Sequence, residues 1–569
     1  MLSREQRVQF YRRNPQVSVL IVGAGINGIG VFWDLALQGV DVLLIDRSDY
    51  CSGSSAASSH MVHGGIRYLE NGEFRLVREA VRERNRLIEN APHLVKPLQM
   101  TFPIFKWFSG LFNAPMKFLG LLNQPSERGA IVIKLGMMLY DFYARGQGTV
   151  PRHVFMDKGH SSRQFPELNP EIVFTGTYYD AAMLSPERIA IELVTDAACA
   201  NEKAIPLNYV SIEGIRDTAV VLRDETTGDQ FNVVPRVLIN AAGPWIDNVN
   251  RVLGRQTRYI GGTKGSHLVL DHPELRKAIG ENGFFFENQD GRIVLLFPLE
   301  DRVLVGTTDI RVDEPEHATI TEEEIRYLIR MIGRVFPGIK VDESHIVFTF
   351  SGVRPLTSSE ASLTGQISRD HRIEVYEAGN SPKFPVYSLV GGKWTTFRAL
   401  AEQASDQVLE RLGISRRIST EHTAIGGGSG YPDTENSREA WILGVCAKSG
   451  LSRERVDVLF SRYGTRAGQF AEHISAGGDQ PLKNYPSFSS REIDHIVQDE
   501  DIVHLDDFLL RRSMIGILGR SSKEGINELG RLIGKAKGWD EPRVQTEIQR
   551  AIHVLRSNHK VDFDRYRAQ

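Results

Sequence analysis

The stretch QVSVLIVGAGINGIGVFWDLALQGVDVLLID, Gln16 to Asp46, constrains the fold of this chain more than any other. The apolar run Val17 to Val22 predicts a buried strand that breaks at Gly23-Ala-Gly25-Ile-Asn27-Gly28, and a helix is expected to about Gln38. A second buried strand, Val40 to Ile45, ends on the acid Asp46. A lone GxGxxG is weak evidence. Here it follows a strand, opens a helix and has an acid about 20 residues on, the spacing of a dinucleotide-binding βαβ unit. Gly23 allows the turn, Gly25 lets backbone approach a pyrophosphate, and Gly28 lets helix meet strand. Free N–H groups and the partial positive charge at the helix start suit phosphates. Asp46 would accept hydrogen bonds from a ribose diol.

The middle of the chain is rich in short β-like runs, among them LNYVSIEGI, TAVVLRD, RVLINAAGPW, GGTKGSHLVL, RIVLLFPLE and RVLVGTTD. Two helical patterns lie among them. The second, TEEEIRYLIRMIGRVFP, opens on Thr321 as a cap with acids in its first turn. Near Val390 a strand–loop–helix returns in YSLVGGKWTTFRALAEQASDQVLERLG. A Gly-, Ser- and Thr-rich stretch over 413–436 reads as a linker, and 437–569 reads as all helical. The expected architecture is α/β. A Rossmann-like domain, discontinuous over 16–95, 195–250 and 380–412, carries an inserted antiparallel-sheet substrate domain over 96–194 and 251–379, with an all-α domain at the C-terminus.

Composition narrows the function classes. With 569 residues and a formal net charge of −3, the chain is long enough for two or three domains and lacks the basic surplus of a nucleic-acid binder. Cys51, Cys199 and Cys446 lie far apart and form no CxxC pair, which fits a reducing compartment and argues against a disulfide framework or a zinc site. No stretch reaches the ~18 apolar residues of a membrane span. The basic N-terminus has no apolar core of a secretory signal and is expected to be a disordered arm before the first strand.

Three further stretches look chemical. In SGSSAASSHMVHGGIRYLE the small and hydroxyl residues from Ser52 to Ser59 suit a chain lying along a cofactor. Gly64 and Gly65 permit close approach, with Arg67 and Tyr68 at the mouth of a helix whose apolar face holds Phe74, Val77, Val81 and Ile88. His60 and His63 have a metal-like spacing, but no third ligand follows. In VLINAAGPW a buried strand ends in residues without bulk, where α/β folds seat ligands. In VGGKWTTFR two glycines and Lys393 open a helix. That is an anion site for a reduced flavin or a phosphate, or a plain glycine cap. His267 in KGSH and Arg354 in SGVRPL complete the candidates; a buried Arg at a strand end often faces a carboxylate or phosphate.

The ordered set GAGINGIG, HGGIRYLE, NAAGPW, KGSH, GTTD, SGVRPL, SRDH and GGKWTTFR resembles the FAD-dependent glycerol-3-phosphate dehydrogenases, flavoproteins that feed electrons to respiratory quinones. LLRRSMIGI resembles the helical cap of the same family. The resemblance implies FAD contacts at Gly23, Gly25, Asn27, Gly28, Asp46, Ser59, His63, Gly64, Gly65, Gly243, Gly392, Trp394 and Thr395. It implies a substrate pocket of Arg67, Tyr68, His267, Arg354 and Lys393, with His267, Arg354 and Lys393 as the catalytic set and no metal. The expected reaction is oxidation of glycerol 3-phosphate to dihydroxyacetone phosphate, with a hydride passing to flavin N5 and electrons to quinone. An oxidase producing hydrogen peroxide and a dehydrogenase of another polyol phosphate, such as erythritol phosphate, are the alternatives. The family usually has Lys at the position of His60, and Lys106 to Gly129 looks like an insertion. Its aromatic and apolar residues over 106–122 are expected to touch a membrane. That places the chain in the cytoplasm, against the inner face of the cell membrane. No nucleic-acid partner is expected, and the resemblance leaves room for a homodimer.

Overall fold

The computed structural model describes residues 2–66, 73–107, 129–144, 149–287, 293–312, 314–358 and 370–563. The first element, α1 (Arg4–Arg13), corrects the expected disordered arm. Ser3 and Gln6 form a capping box at its start. Its inner face buries Val8 and Tyr11. Arg4 pairs with Asp224 at 2.8 Å, and Arg7 donates to the carbonyl of Pro206 at 2.7 Å. These partners lie some two hundred positions away in sequence, beyond the reach of any local pattern.

In chain order the elements that carry the site begin with β1 (Gln16–Val22), α2 (Ile26–Leu37), β2 (Val42–Ile45), α3 (Phe74–Asn90), β3 (Val95–Ile104) and α4 (Ala130–Ala144). They continue with β4 (Phe174–Met183), α5 (Pro186–Ala200), β5 (Ala204–Leu207), β6 (Gln230–Asn240) and β7 (Thr263–Leu270). After these come β8 (Asn282–Glu287), β9 (Ile293–Leu299), β10 (Arg302–Gly306), α6 (Glu322–Val335), β11 (Ile346–Arg354), β12 (Val386–Val390) and α7 (Phe397–Leu412).

The parallel part of one sheet runs in the order β5, β2, β1, β6, β12, and the strand Arg372–Tyr376 adds an antiparallel edge beside β12. Helices α2, α5 and α7 bury Phe32, Trp33, Leu193 and Phe397 on one face of it. Residues of α1 and of the hairpin Val210–Asp224 cover the other, where Tyr11, Leu20, Leu43 and Leu222 meet. Parallel strands covered on both faces read as near-continuous apolar runs; β2 does so throughout, and β1 from Val19 to Val22. The strand order reverses direction at β1, so a crevice opens beyond the carboxyl ends of β1 and β6.

A second sheet is mostly antiparallel. Strand β7 lies between β10 and β11, and the sheet continues through β9 and β8 to β3 and β4. Helix α6 packs on it, starting at the expected cap Thr321, which forms a capping box with Glu324. The C-terminal segment is helical, with Glu435–Ser449, Arg453–Tyr463, Ala467–Ser475, Ser490–Asp499, Lys523–Lys537 and Glu541–His559 among its helices. Its apolar residues share one continuous core with the second sheet, joining Leu505, Phe508 and Ile548 to Phe348 and Phe350.

Candidate active site

The glycine turn after β1 and the Ala241–Gly243 turn after β6 meet at the crevice. Gly23 has a φ of 107°, and a Cβ there would lie 2.6 Å from the carbonyl oxygen of Ala241. A Cβ on Gly28 would lie 1.9 Å from the carbonyl oxygen of Gly23, so bulk at either position would push helix from strand. Gly25 is the N-cap of α2, and the Ile26 N–H donates to Ser55 Oγ at 2.9 Å. Asp46 accepts from the N–H groups of Ala24 at 2.7 Å and Ser48 at 2.9 Å. Part of the residue stays exposed, but its carboxyl is enclosed, and this burial pushes the pKa up to about 6 against the pull of both N–H groups. A helix start, a glycine turn and a carboxylate at one strand-order reversal fit the pyrophosphate and ribose of FAD. Gly243, with a φ of 56°, has open space where a Cβ would stand.

The segment expected to lie along the cofactor crosses from this sheet to the other. Ser54 Oγ donates to the carbonyl of Val353 at 2.6 Å, and Ser59 Oγ lies 2.8 Å from His267 Nε2. The turn before α7 holds it from the opposite side. The Trp394 indole N–H donates to the Ser55 carbonyl at 2.9 Å, and the Thr395 hydroxyl donates to the His63 carbonyl at 3.2 Å. The Asn27 amide, in turn, donates to the Gly391 carbonyl at 3.2 Å. Gly392 has a φ of 97° against Asn27, and the Lys393 ammonium nitrogen is enclosed from solvent.

His267 and Arg354 sit on the facing part of the second sheet. The His267 ring stacks on Phe350 with centroids 4.6 Å apart, and its Nδ1 has no hydrogen-bond partner among the described residues. Burial, then the charge of Arg354 and the nearby His60, hold its pKa well below the usual imidazole range. It is a neutral histidine. Arg354 donates to Asp309 Oδ1 at 3.0 Å and to Thr307 Oγ1 at 2.9 Å. Two glycines make room for these side chains. A Cβ on Gly265 would lie 2.2 Å from Arg354 Nη2, and one on Gly306 would lie 2.0 Å from the His267 ring. Since side chains alternate along a strand, Gly265 and His267 share one face of β7.

Gly64 donates its N–H to Asp180 Oδ1 at 2.8 Å, and Asp180 is held by Tyr140 at 2.5 Å and Arg84 at 3.3 Å, all buried. Gly65 has a φ of 76°. Arg67 and Tyr68 lie outside the described residues. His60 is 1% exposed, and neither ring nitrogen has a hydrogen-bond partner among the described residues. Burial lowers its pKa to about 4. Sequence reasoning included Ser55 in the cofactor stretch but gave no role to Thr307 or Asp309, and it passed over Phe350 and the Arg84–Tyr140–Asp180 cluster. The GTTD motif signalled Thr307 and Asp309; nothing local marks Phe350 or Asp180, which are ordinary core residues until the fold brings them here.

A dinucleotide turn, a buried histidine and the cations Arg354 and Lys393 on facing elements fit a flavin-dependent oxidoreductase. The chain belongs to the family described as FAD dependent oxidoreductase, which matches residues 18–398, and the C-terminal domain of alpha-glycerophosphate oxidase matches residues 418–544. Within that family it is a member of the FAD-dependent glycerol-3-phosphate dehydrogenases, and its cofactor is FAD. It is 31% identical to a glycerol-3-phosphate dehydrogenase of Synechocystis sp., across 97% of this chain and 98% of that protein. It is 30% identical to an aerobic glycerol-3-phosphate dehydrogenase of Staphylococcus haemolyticus, across 88% and 87%. The fold is similar to that of a glycerol-3-phosphate dehydrogenase from Bacillus halodurans complexed with FAD, with a TM-score of 0.75 at 21% identity over 99% of both chains.

Proposed function

We propose that the chain oxidises sn-glycerol 3-phosphate to dihydroxyacetone phosphate and passes the electrons to a membrane quinone. The observation that carries the reading is neutral His267 beside Arg354 on a glycine-cleared strand face, against the segment that lies along the cofactor. The names of the relatives support the substrate. Bound FAD supplies the hydride acceptor. His267 takes the proton of the C2 hydroxyl, a task open to it because the enclosed ring is not already protonated. Arg354, held flat by Asp309 and Thr307, and Lys393 hold the phosphate and the developing alkoxide. Arg67 and Tyr68 are assigned to the same pocket on their motif.

Support for the quinone comes from the outer surface. On α4, Ile131, Leu135, Met138, Leu139 and Phe142 fall on one helical face and are exposed, Leu135 at 61% and Phe142 at 60%, while Met137 and Tyr140 face the core. Lys106 and Trp107, both exposed, open the expected membrane segment 106–122, whose residues 108–122 lie outside the described ones. Among the described residues no helix is long and apolar enough to cross a membrane. An apolar stripe of this kind fits peripheral contact with a lipid surface, where a quinone resides.

Anaerobic addition of glycerol 3-phosphate should bleach the flavin absorbance in a single turnover. His267→Gln should slow that step by about 10²–10⁴; near-normal reduction places the base elsewhere. Faster reduction by erythritol phosphate would change the substrate, and reoxidation by oxygen as fast as by a quinone analogue would make the enzyme an oxidase. Leu135→Glu combined with Phe142→Glu should release the folded protein from phospholipid vesicles, and undiminished binding would remove α4 from the membrane reading.

A further inference from the structure

The loop Asp46–Cys51 joins the ribose carboxylate to the segment along the cofactor, and it is tied to the glycine turn at both ends. Asp46 accepts from the Ala24 N–H at 2.7 Å, and the Cys51 N–H donates to the Ala24 carbonyl at 2.8 Å. Between these ties Asp49 is fully buried. Both of the cations that reach it among the described residues come from the C-terminal helical segment, more than 460 positions along the chain. Arg511 Nε donates to Asp49 Oδ2 at 2.5 Å. Arg512 grips both carboxylate oxygens, with Nη2 donating to Oδ1 at 3.1 Å. The Asn208 amide adds a hydrogen bond to Oδ1 at 2.9 Å. The next residue repeats the link, for the Tyr50 hydroxyl donates to Asp501 Oδ2 at 2.9 Å.

A buried carboxylate is tolerated only while its charge is matched and its oxygens are hydrogen-bonded. Asp49 therefore keeps its place only where Arg511 and Arg512 keep theirs. The two arginines are themselves fixed, Arg511 by Asp507 at 2.6 Å and Arg512 by the Glu500 carbonyl at 2.6 Å. Nothing in the chemistry of hydride transfer calls on this cluster, and among the described residues its hydrogen bonds reach none of His267, Arg354 and Lys393. It connects the C-terminal helical segment to the loop that begins at Asp46.

We propose that Arg511 and Arg512 are positioning residues for the cofactor. By gripping Asp49 they hold the Asp46–Cys51 loop, so that the affinity of the nucleotide-binding sheet for FAD depends on the C-terminal helical domain. The proposal rests on the assignment of Asp46 to the adenosine ribose of FAD.

The test is titration of full-length apoprotein with FAD, followed by quenching of flavin fluorescence. Asp49→Asn should weaken FAD binding about tenfold or more, the scale of one lost charge-assisted hydrogen bond. With FAD saturating, its kcat and its KM for glycerol 3-phosphate should return to the wild-type values. Arg466→Gln breaks a different link between the C-terminal domain and α5, the 2.5 Å pair with Asp196, and should leave FAD affinity unchanged. Wild-type FAD affinity in Asp49→Asn would overturn the proposal. So would an equal loss in Arg466→Gln, or a kcat that stays low at saturating FAD. If Asp49→Asn does not fold, Arg511→Lys is read in its place. It keeps the charge but loses the fork, so about a threefold loss is expected and no loss overturns the proposal. An FAD analogue lacking the adenosine 2′-hydroxyl separates the two assignments. A wild type indifferent to that hydroxyl, with Asp49→Asn still weak, removes the ribose role of Asp46 and leaves the latch standing.

Discussion

Arg354 is held in place before any substrate arrives, since Asp309 and Thr307 fix its guanidinium plane. Its removal should therefore cost binding energy that Lys393 does not replace. For Arg354→Ala the expected loss in kcat/KM is about 3 kcal/mol, roughly a hundredfold, for one charge-assisted phosphate contact. Steady-state kinetics check it, and a change below about threefold would take Arg354 out of the site. His60 makes a different kind of contribution. Its folded-state pKa of about 4 lies below the ordinary 6.5 because burial penalises the charged ring. Above pH 6.5 the ring is neutral folded or unfolded, and it adds no pH dependence. As pH falls from 6.5 to 4 only the unfolded chain takes up the proton, so stability drops, by about 3 kcal/mol in full. His60→Asn, a residue that tolerates the positive φ of 51° at this position, should flatten unfolding free energy measured across that window. An unchanged pH profile would show that His60 is not buried neutral.

Helix α6 shows how an element serves both itself and the site. Its capping box was legible in the sequence, because Thr321 followed by acids ahead of an apolar repeat is a local pattern. The tertiary use of the same Glu324 was not. Its carboxylate also accepts from Lys264 Nζ at 2.7 Å, Ser266 Oγ at 2.8 Å and Thr308 Oγ1 at 2.6 Å. It thereby fastens α6 to β7 and to the turn that carries Asp309. Burial raises its pKa, but the hydrogen bonds from Lys264, Thr308 and Thr321 outweigh burial, and the net shift is downward. A lowered carboxylate pKa means stability that is present above the ordinary value and is lost as pH falls through the folded one. Thr321→Ala should cost about 1 kcal/mol as a lost cap. Glu324→Ala should cost about 3 kcal/mol or more, because it leaves the Lys264 ammonium buried without its counter-charge. Urea unfolding distinguishes the two, and equal small losses would reduce Glu324 to a cap.

Across the whole molecule, buried ion pairs join segments remote in sequence. Arg188 on α5 meets Glu500 through two hydrogen bonds, at 2.9 and 2.7 Å, with both side chains almost wholly enclosed. Arg188→Met should cost about 3–5 kcal/mol by stranding Glu500, whereas the double variant with Glu500→Leu should recover much of it. Equilibrium unfolding of the three variants checks this, and a double variant no better than the single one would refute it. The sequence by itself determined the nucleotide turn, the helical character of the C-terminal segment and the glycine-rich starts of the binding loops. Each of these follows from backbone sterics, hydrogen bonding or periodicity within a few turns of chain. It could not determine that α1 is a packed helix, that Phe350 backs His267, or that Arg511 and Arg512 close on Asp49. Those contacts rest on charges and rings whose partners lie from about eighty to more than four hundred residues off. Only the folded chain brings them together and removes the water that would otherwise screen them.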